Sequence, residues 1–182
     1  INTSMSATSR LISLAQLTAL PLPPPQLVQL AADTGYGACG IRLLAATPAG
    51  AGYPLHTNPA LMRETLACMR GTGVRVLDIE IIRIVPGFDA RAFSACLEAG
   101  AALGARHVLV AGNDDDPSRM AASFAALCDM AAPLGMSCDL EPMPWCPVAS
   151  VPDATRVLNA VYRPNAGVLI DATNNVGLNW DA

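Results

Sequence analysis

Six short apolar runs recur at intervals of about thirty residues, each followed by a longer amphipathic stretch bounded by Gly or Pro, which is the pattern of repeated strand–helix units. The runs are LISLAQL (11–17), GIRLL (40–44), VRVLDIEIIRI (74–84), ARHVLVAG (105–112), MSCDLE (136–141) and AGVLID (166–171). Helices are predicted over 23–35, 58–70, 90–104, 117–135 and 151–161. Prolines at the first turn cost nothing there, Asn58 supplies a cap, and glycines stop several of these helices. Strands connected by helices run parallel, so one parallel sheet is expected.

Strand polarity decides how such a sheet is covered. The third run alternates Leu77, Ile79 and Ile81 against Asp78, Glu80 and Ile82; the fifth alternates Cys138 and Leu140 against Asp139 and Glu141. Helices on both faces would bury those acids against apolar surface at several kcal/mol per uncompensated charge. A barrel wrapped by helices on its outside lets the acids face inward. The expected fold is therefore α/β, a TIM-barrel-like (β/α) barrel of about six units and so apparently incomplete, over residues 11–172. Residues 1–10 read as an N-terminal extension and 173–182 as an irregular C-terminal segment. Sheet edges in such a fold need an irregular cover or a partner chain, as in a homo-oligomer.

Composition narrows the chemistry. The chain has 11 basic residues, all arginine, so Schiff-base, pyridoxal-phosphate and Walker-type lysine chemistry are excluded within it. A net charge of −4 without an arginine cluster gives no footprint for nucleic acid. No apolar run approaches the ~20 residues of a membrane span, and six scattered cysteines without a CxxC pair read as buried hydrophobes in a reducing cytosol. A cytoplasmic protein with a small-molecule ligand is expected. The glycines Gly35, Gly37 and Gly40 match GxGxxG but follow a helix and precede a strand, the reverse of a phosphate cradle, so they read as a helix stop and tight turn.

Glu141 and Asp171 close the fifth and sixth strands, one unit apart, where side chains of adjacent parallel strands meet on one rim. Converging carboxylates repel unless a cation lies between them, and a divalent ion meets that need without lysine. The alternative is that each caps a helix or pairs with an arginine. Arg42 and Arg83 offer planar forks for a carboxylate or phosphate, or a salt bridge with Glu80. Trp145, after the Pro-Met-Pro break, stands over the rim as a stacking surface or a loop plug. Asn113 is placed for hydrogen bonding or as part of a turn. Asp114, Asp115 and Asp116 read as a solvated acidic loop, and His107 and His56 as structural and surface residues.

The order of SLAQLTAL with PPPQLV, GYGACGIRLL, VRVLDIEIIRI, LGARHVLVAG, CDLEPMPW and RPNAGVLIDA resembles the sugar phosphate isomerase/epimerase family of xylose isomerase-like barrels. The resemblance implies that Glu141 and Asp171 are ligands of a divalent metal ion (Mn, Mg, Co or Zn), and that Glu141 also takes part in proton transfer. It implies an isomerase or epimerase acting on a small sugar or sugar-like keto compound, with a lyase or dehydratase on the same scaffold as the alternative. Asn174 occupies the position where the family commonly has a substrate-binding histidine, and asparagine cannot shuttle a proton. The family's histidine ligand from strand seven and glutamate from strand eight have no counterpart in these residues. A truncated, non-catalytic barrel acting as a binding protein is the second class of expectation.

Overall fold

The computed structural model describes residues 10–173. Six strands, β1 (Ser13–Leu14), β2 (Ala38–Arg42), β3 (Arg75–Ile84), β4 (His107–Gly112), β5 (Ser137–Glu141) and β6 (Ala166–Val168), form one sheet in sequence order. Every neighbouring pair is parallel. Five helices intervene: α1 (Pro24–Asp33), α2 (Pro59–Thr72), α3 (Ser94–Ala102), α4 (Pro117–Ala131) and α5 (Val151–Val161). Among the described residues β1 and β6 remain the two ends of the sheet, so the barrel is not closed. The N-terminal extension and the C-terminal segment lie almost wholly outside the described residues.

Local chemistry sets the helix ends. Asn58 Oδ1 accepts from Leu61 N at 3.1 Å, and Asp116 Oδ1 accepts from Arg119 N at 2.9 Å. Ser150 and Asp153 cap α5 reciprocally, each side chain accepting from the other's backbone N–H. The helix α2 ends at Gly73, whose φ of 76° suits a residue without Cβ.

The core lies between the sheet and the helices. Cys39, Ile41, Val76, Ile79, Ile82, Val108, Val110, Cys138 and Leu140 of the strands pack with Leu27, Val28, Leu97, Phe124 and Leu127 of the helices. Burial of each large aliphatic side chain contributes about 1.5–3 kcal/mol. Among the described residues the opposite face carries a small buried apolar cluster of Ile81, Ala111, Met143 and Cys146, and it brings charged side chains (Arg42, Asp78, Glu80, Arg83 and Glu141) together with apolar ones such as Leu109 and Leu169. Helices therefore cover one face, as a barrel requires.

Three sequence readings are corrected. The first strand shrinks to two residues because Gln16 enters a 3-10 turn (Gln16–Ala19), where its side chain bonds Leu22 O and Arg42 N. The sixth strand stops at Val168, leaving Asp171 on the segment beyond it. In β3, Ile82 packs on the helix side and Ile81 faces inward, opposite to a strict alternation. The cause is a bulge: Ile79 pairs with Val108 and Ile82 with Val110, three residues against two.

Candidate functional site

Register fixes the inward side chains in layers. Asp78, His107 and Ser137 lie at one level, nearest the amino ends of the strands. Arg42 pairs with Glu80, and Leu109 with Asp139, in the middle. Arg83, Ala111 and Glu141 share the uppermost level.

A cavity of about 710 Å³ opens on this face. Its walls include Arg42, Asp78, Glu80, Arg83, Glu141, Trp145 and Asp171. Glu141 and Asp171 thus face one cavity, although they come from a strand end and the segment after the next strand. Glu141 is buried at 6% exposure. Asp171 Oδ1 accepts from Thr173 N at 2.8 Å and from Thr173 Oγ1 at 2.7 Å, an Asx turn that fixes the carboxylate. Trp145 is 69% exposed at the mouth.

Arg42 Nη2 donates to Glu80 Oε2 at 2.9 Å between adjacent strands, and both residues are buried. Among the described residues Arg83 joins no such pair: Nε donates to Ala46 O at 2.9 Å and Nη1 to Asn113 Oδ1 at 3.0 Å. Asn113 also donates to Cys146 Sγ at 3.3 Å, so it braces Arg83 and the loop after β5 rather than lining the cavity. Asn174 lies outside the described residues.

The sequence reading passed over a second group below the cavity. His107 Nδ1 lies 2.8 Å from Asp139 Oδ2 and 2.9 Å from Ser137 Oγ, and Ser137 Oγ donates to Asp139 Oδ2 at 3.2 Å. Asp78 lies between this group and Glu80. Burial, then the charges of Glu80 and Asp139, push its carboxyl from the usual 3.8 up to about 6, with His107 opposing the rise. Period-two alternation did place Asp78 and Asp139 inward. What it lacked was the glycines: a Cβ on Gly40 would meet Asp78 Oδ2 at 2.5 Å, and one on Gly167 would collide with Asp139 Oδ1. Gly40 lies within β2 and makes room for a carboxylate, which replaces its reading as part of a tight turn.

Asp114 is likewise corrected from solvated loop to buried anchor. Arg119 donates to its two oxygens at 2.5 and 2.6 Å, and this fork holds the Asp114 carboxyl below the usual range.

Among the described residues no three or more His, Cys, Asp or Glu side chains are arranged to hold a metal ion. Glu141 and Asp171 supply two oxygen donors of the type hard divalent ions take, and further donors would have to come from elsewhere.

An open parallel sheet with outer helices and an acid-lined cavity at the carboxyl ends of its strands defines a TIM-barrel-like protein with a rim site. A family model of xylose isomerase-like TIM barrels matches residues 28–181, and the chain belongs to that family. No curated protein sequence matches it. Solved structures share the fold at low identity. The IOLI protein, solved with a zinc atom bound, has a TM-score of 0.67 at 20% identity, covering 89% of this chain and 63% of that one. The 3-keto-D-glucoside 4-epimerase from E. coli gives 0.66 at 16%, covering 87% and 66%. A probable 3-DHS dehydratase from Bacillus anthracis gives 0.63 at 15%, covering 87% and 62%. The chain spans about three-fifths of the length of these structures. No helix among the described residues is long and apolar enough to cross a membrane.

Proposed function

We infer that the cavity serves a divalent-metal-dependent isomerase or epimerase, which moves a proton on a carbon next to the carbonyl of a small sugar or sugar-like keto compound. The observation that carries this reading is that Glu141 and Asp171 face one cavity at the carboxyl end of the sheet. Family membership and the zinc-containing and epimerase neighbours support it.

Glu141 and Asp171 would hold the ion, with its remaining donors supplied from outside the described residues. A bound divalent ion polarises substrate oxygens and so acidifies the adjacent C–H. The chain's own residues do the rest. Glu141, buried and level with Ala111 on the cavity wall, would take the proton from the substrate carbon. Arg42 and Glu80 orient the substrate from the middle layer, Arg83 braces the upper wall with Asn113, and Trp145 offers an apolar face at the mouth.

The test is proton exchange. Incubation with a keto sugar and Mn²⁺ in D₂O is expected to introduce deuterium next to the carbonyl, and Glu141→Gln is expected to abolish it. Absence of exchange across a panel of ketoses, or full exchange by the variant, overturns the reading. A dehydratase begins with the same abstraction but ends in loss of water, so the mass of the product separates the two reactions.

A further inference from the structure

The middle of the cavity wall is formed by the Arg42–Glu80 pair, and the pair is incompletely bonded. Both residues are more than nine-tenths buried, at 7% and 8% exposure. Their bond uses Nη2 and Oε2. Arg42 Nε and Glu80 Oε1 are enclosed without a hydrogen-bond partner among the described residues. An enclosed donor or acceptor left unbonded has lost its water without replacement, so a ligand that satisfies both gains from this pair.

The two orphan atoms define what fits. Nε–H is only a donor and a carboxylate oxygen is only an acceptor. A hydroxyl group accepts from the first and donates to the second. A phosphate or carboxylate anion can only accept, and would bring negative charge against Glu80. The atoms are closed off in the resting pair, so a side-chain rotation must open it before a ligand reaches them.

Charge leads to the same conclusion. The cavity walls carry Asp78, Glu80, Glu141 and Asp171 against Arg42 and Arg83, a balance of two negative charges with all six ionised. Arg42 is compensated by Glu80, and Arg83 is engaged by Ala46 O and Asn113. A divalent ion on Glu141 and Asp171 would bring the walls to neutrality and no further. Leu17 and Trp145, 64% and 69% exposed at the mouth, suit the apolar face of a ring rather than a charged group.

We propose that Arg42 and Glu80 form a hydroxyl-recognition subsite through which the cavity selects an uncharged polyol or hydroxy-ketone over its phosphorylated or carboxylated counterpart. This rests on the cavity being a sugar site and narrows its substrate class.

The test is ligand-observed NMR on the whole protein without metal, titrating a panel of free ketoses against their monophosphates. Free ketoses are expected to bind, with the monophosphates at least about tenfold weaker, a difference of about 1.4 kcal/mol. Glu80→Gln leaves Arg42 uncompensated and is expected to narrow or reverse that ratio. Arg42→Met combined with Glu80→Met removes both groups, and is expected to lose ketose binding without gaining phosphate binding. Tighter binding of the monophosphates, binding of neither class, or an unchanged ratio in Glu80→Gln overturns the proposal. Should Glu80→Gln fail to fold by circular dichroism, the wild-type ratio and the double variant decide. Because no metal is present, failure of proton exchange or of metal binding leaves this result standing and counts against the functional reading alone.

Discussion

Arg42 and Glu80 meet across adjacent strands at 2.9 Å with almost no exposure to solvent. Removing one member of such a pair strands the other charge, whereas removing both strands none. Arg42→Met alone is expected to cost about 3–5 kcal/mol in chemical denaturation. Arg42→Met with Glu80→Met is expected to cost clearly less. A double variant as unstable as the two single losses added together would show that the pair is not coupled.

Gly40 and Asp78 occupy one another's space. Gly40→Ala puts a methyl 2.5 Å from Asp78 Oδ2 and 2.9 Å from its Cγ, so the carboxylate must move inside a crowded layer. The expected loss is about 1–3 kcal/mol. Combining it with Asp78→Ala is expected to restore part of that loss, and equal denaturation midpoints for Gly40→Ala and wild type would contradict the packing described.

Folding raises the Asp78 carboxyl from 3.8 to about 6. Between those values the native state keeps a proton that the unfolded chain has released, so the contribution of Asp78 to stability is greatest below the lower value and falls as pH rises towards about 6. Asp78→Asn removes this dependence. Its stability relative to wild type is expected to grow across that window, by at most about 3 kcal/mol, and to level off above it. Urea denaturation at a series of pH values measures the difference, and a difference that shrinks with rising pH would contradict the burial argument.

Asp114 and Asp115 are sequence neighbours with opposite fates. The Asp114 side chain is closed to solvent and gripped by Arg119, while that of Asp115 is 86% exposed. Asp114→Asn is expected to lower the melting temperature well beyond the effect of Asp115→Asn. The Asp114 carboxyl is held below its usual range, so its contribution is present above the unfolded pKa and disappears as pH falls through the folded one. Equal melting temperatures for the two variants would return Asp114 to the solvated loop.

Much of this was legible in the residues. The spacing of apolar runs gave six parallel strands in order, and period-two alternation put Asp78, Glu80, Asp139 and Glu141 on the face away from the helices. The exchange of Ile81 and Ile82 was not legible, because both are isoleucine and a bulge leaves no trace in composition. Nor was the burial of Asp114, since its grip by Arg119 five residues later depends on how the chain turns into α4. The His107–Asp139–Ser137 group was hidden by distance along the chain, as β4 and β5 bring together residues 32 apart. Asp171 was read as a strand end, and it lines the same cavity as Glu141 even though β6 stops earlier.

The central claim is that Glu141 and Asp171 jointly hold a divalent ion. Thermal unfolding under increasing Mn²⁺ tests it most directly, because an ion bound to the native state alone raises the melting temperature with concentration. A rise is expected for the wild-type protein, reversed by a chelator, and is expected to vanish in both Glu141→Gln and Asp171→Asn. No rise in the wild type, or the full rise in both variants, would contradict it.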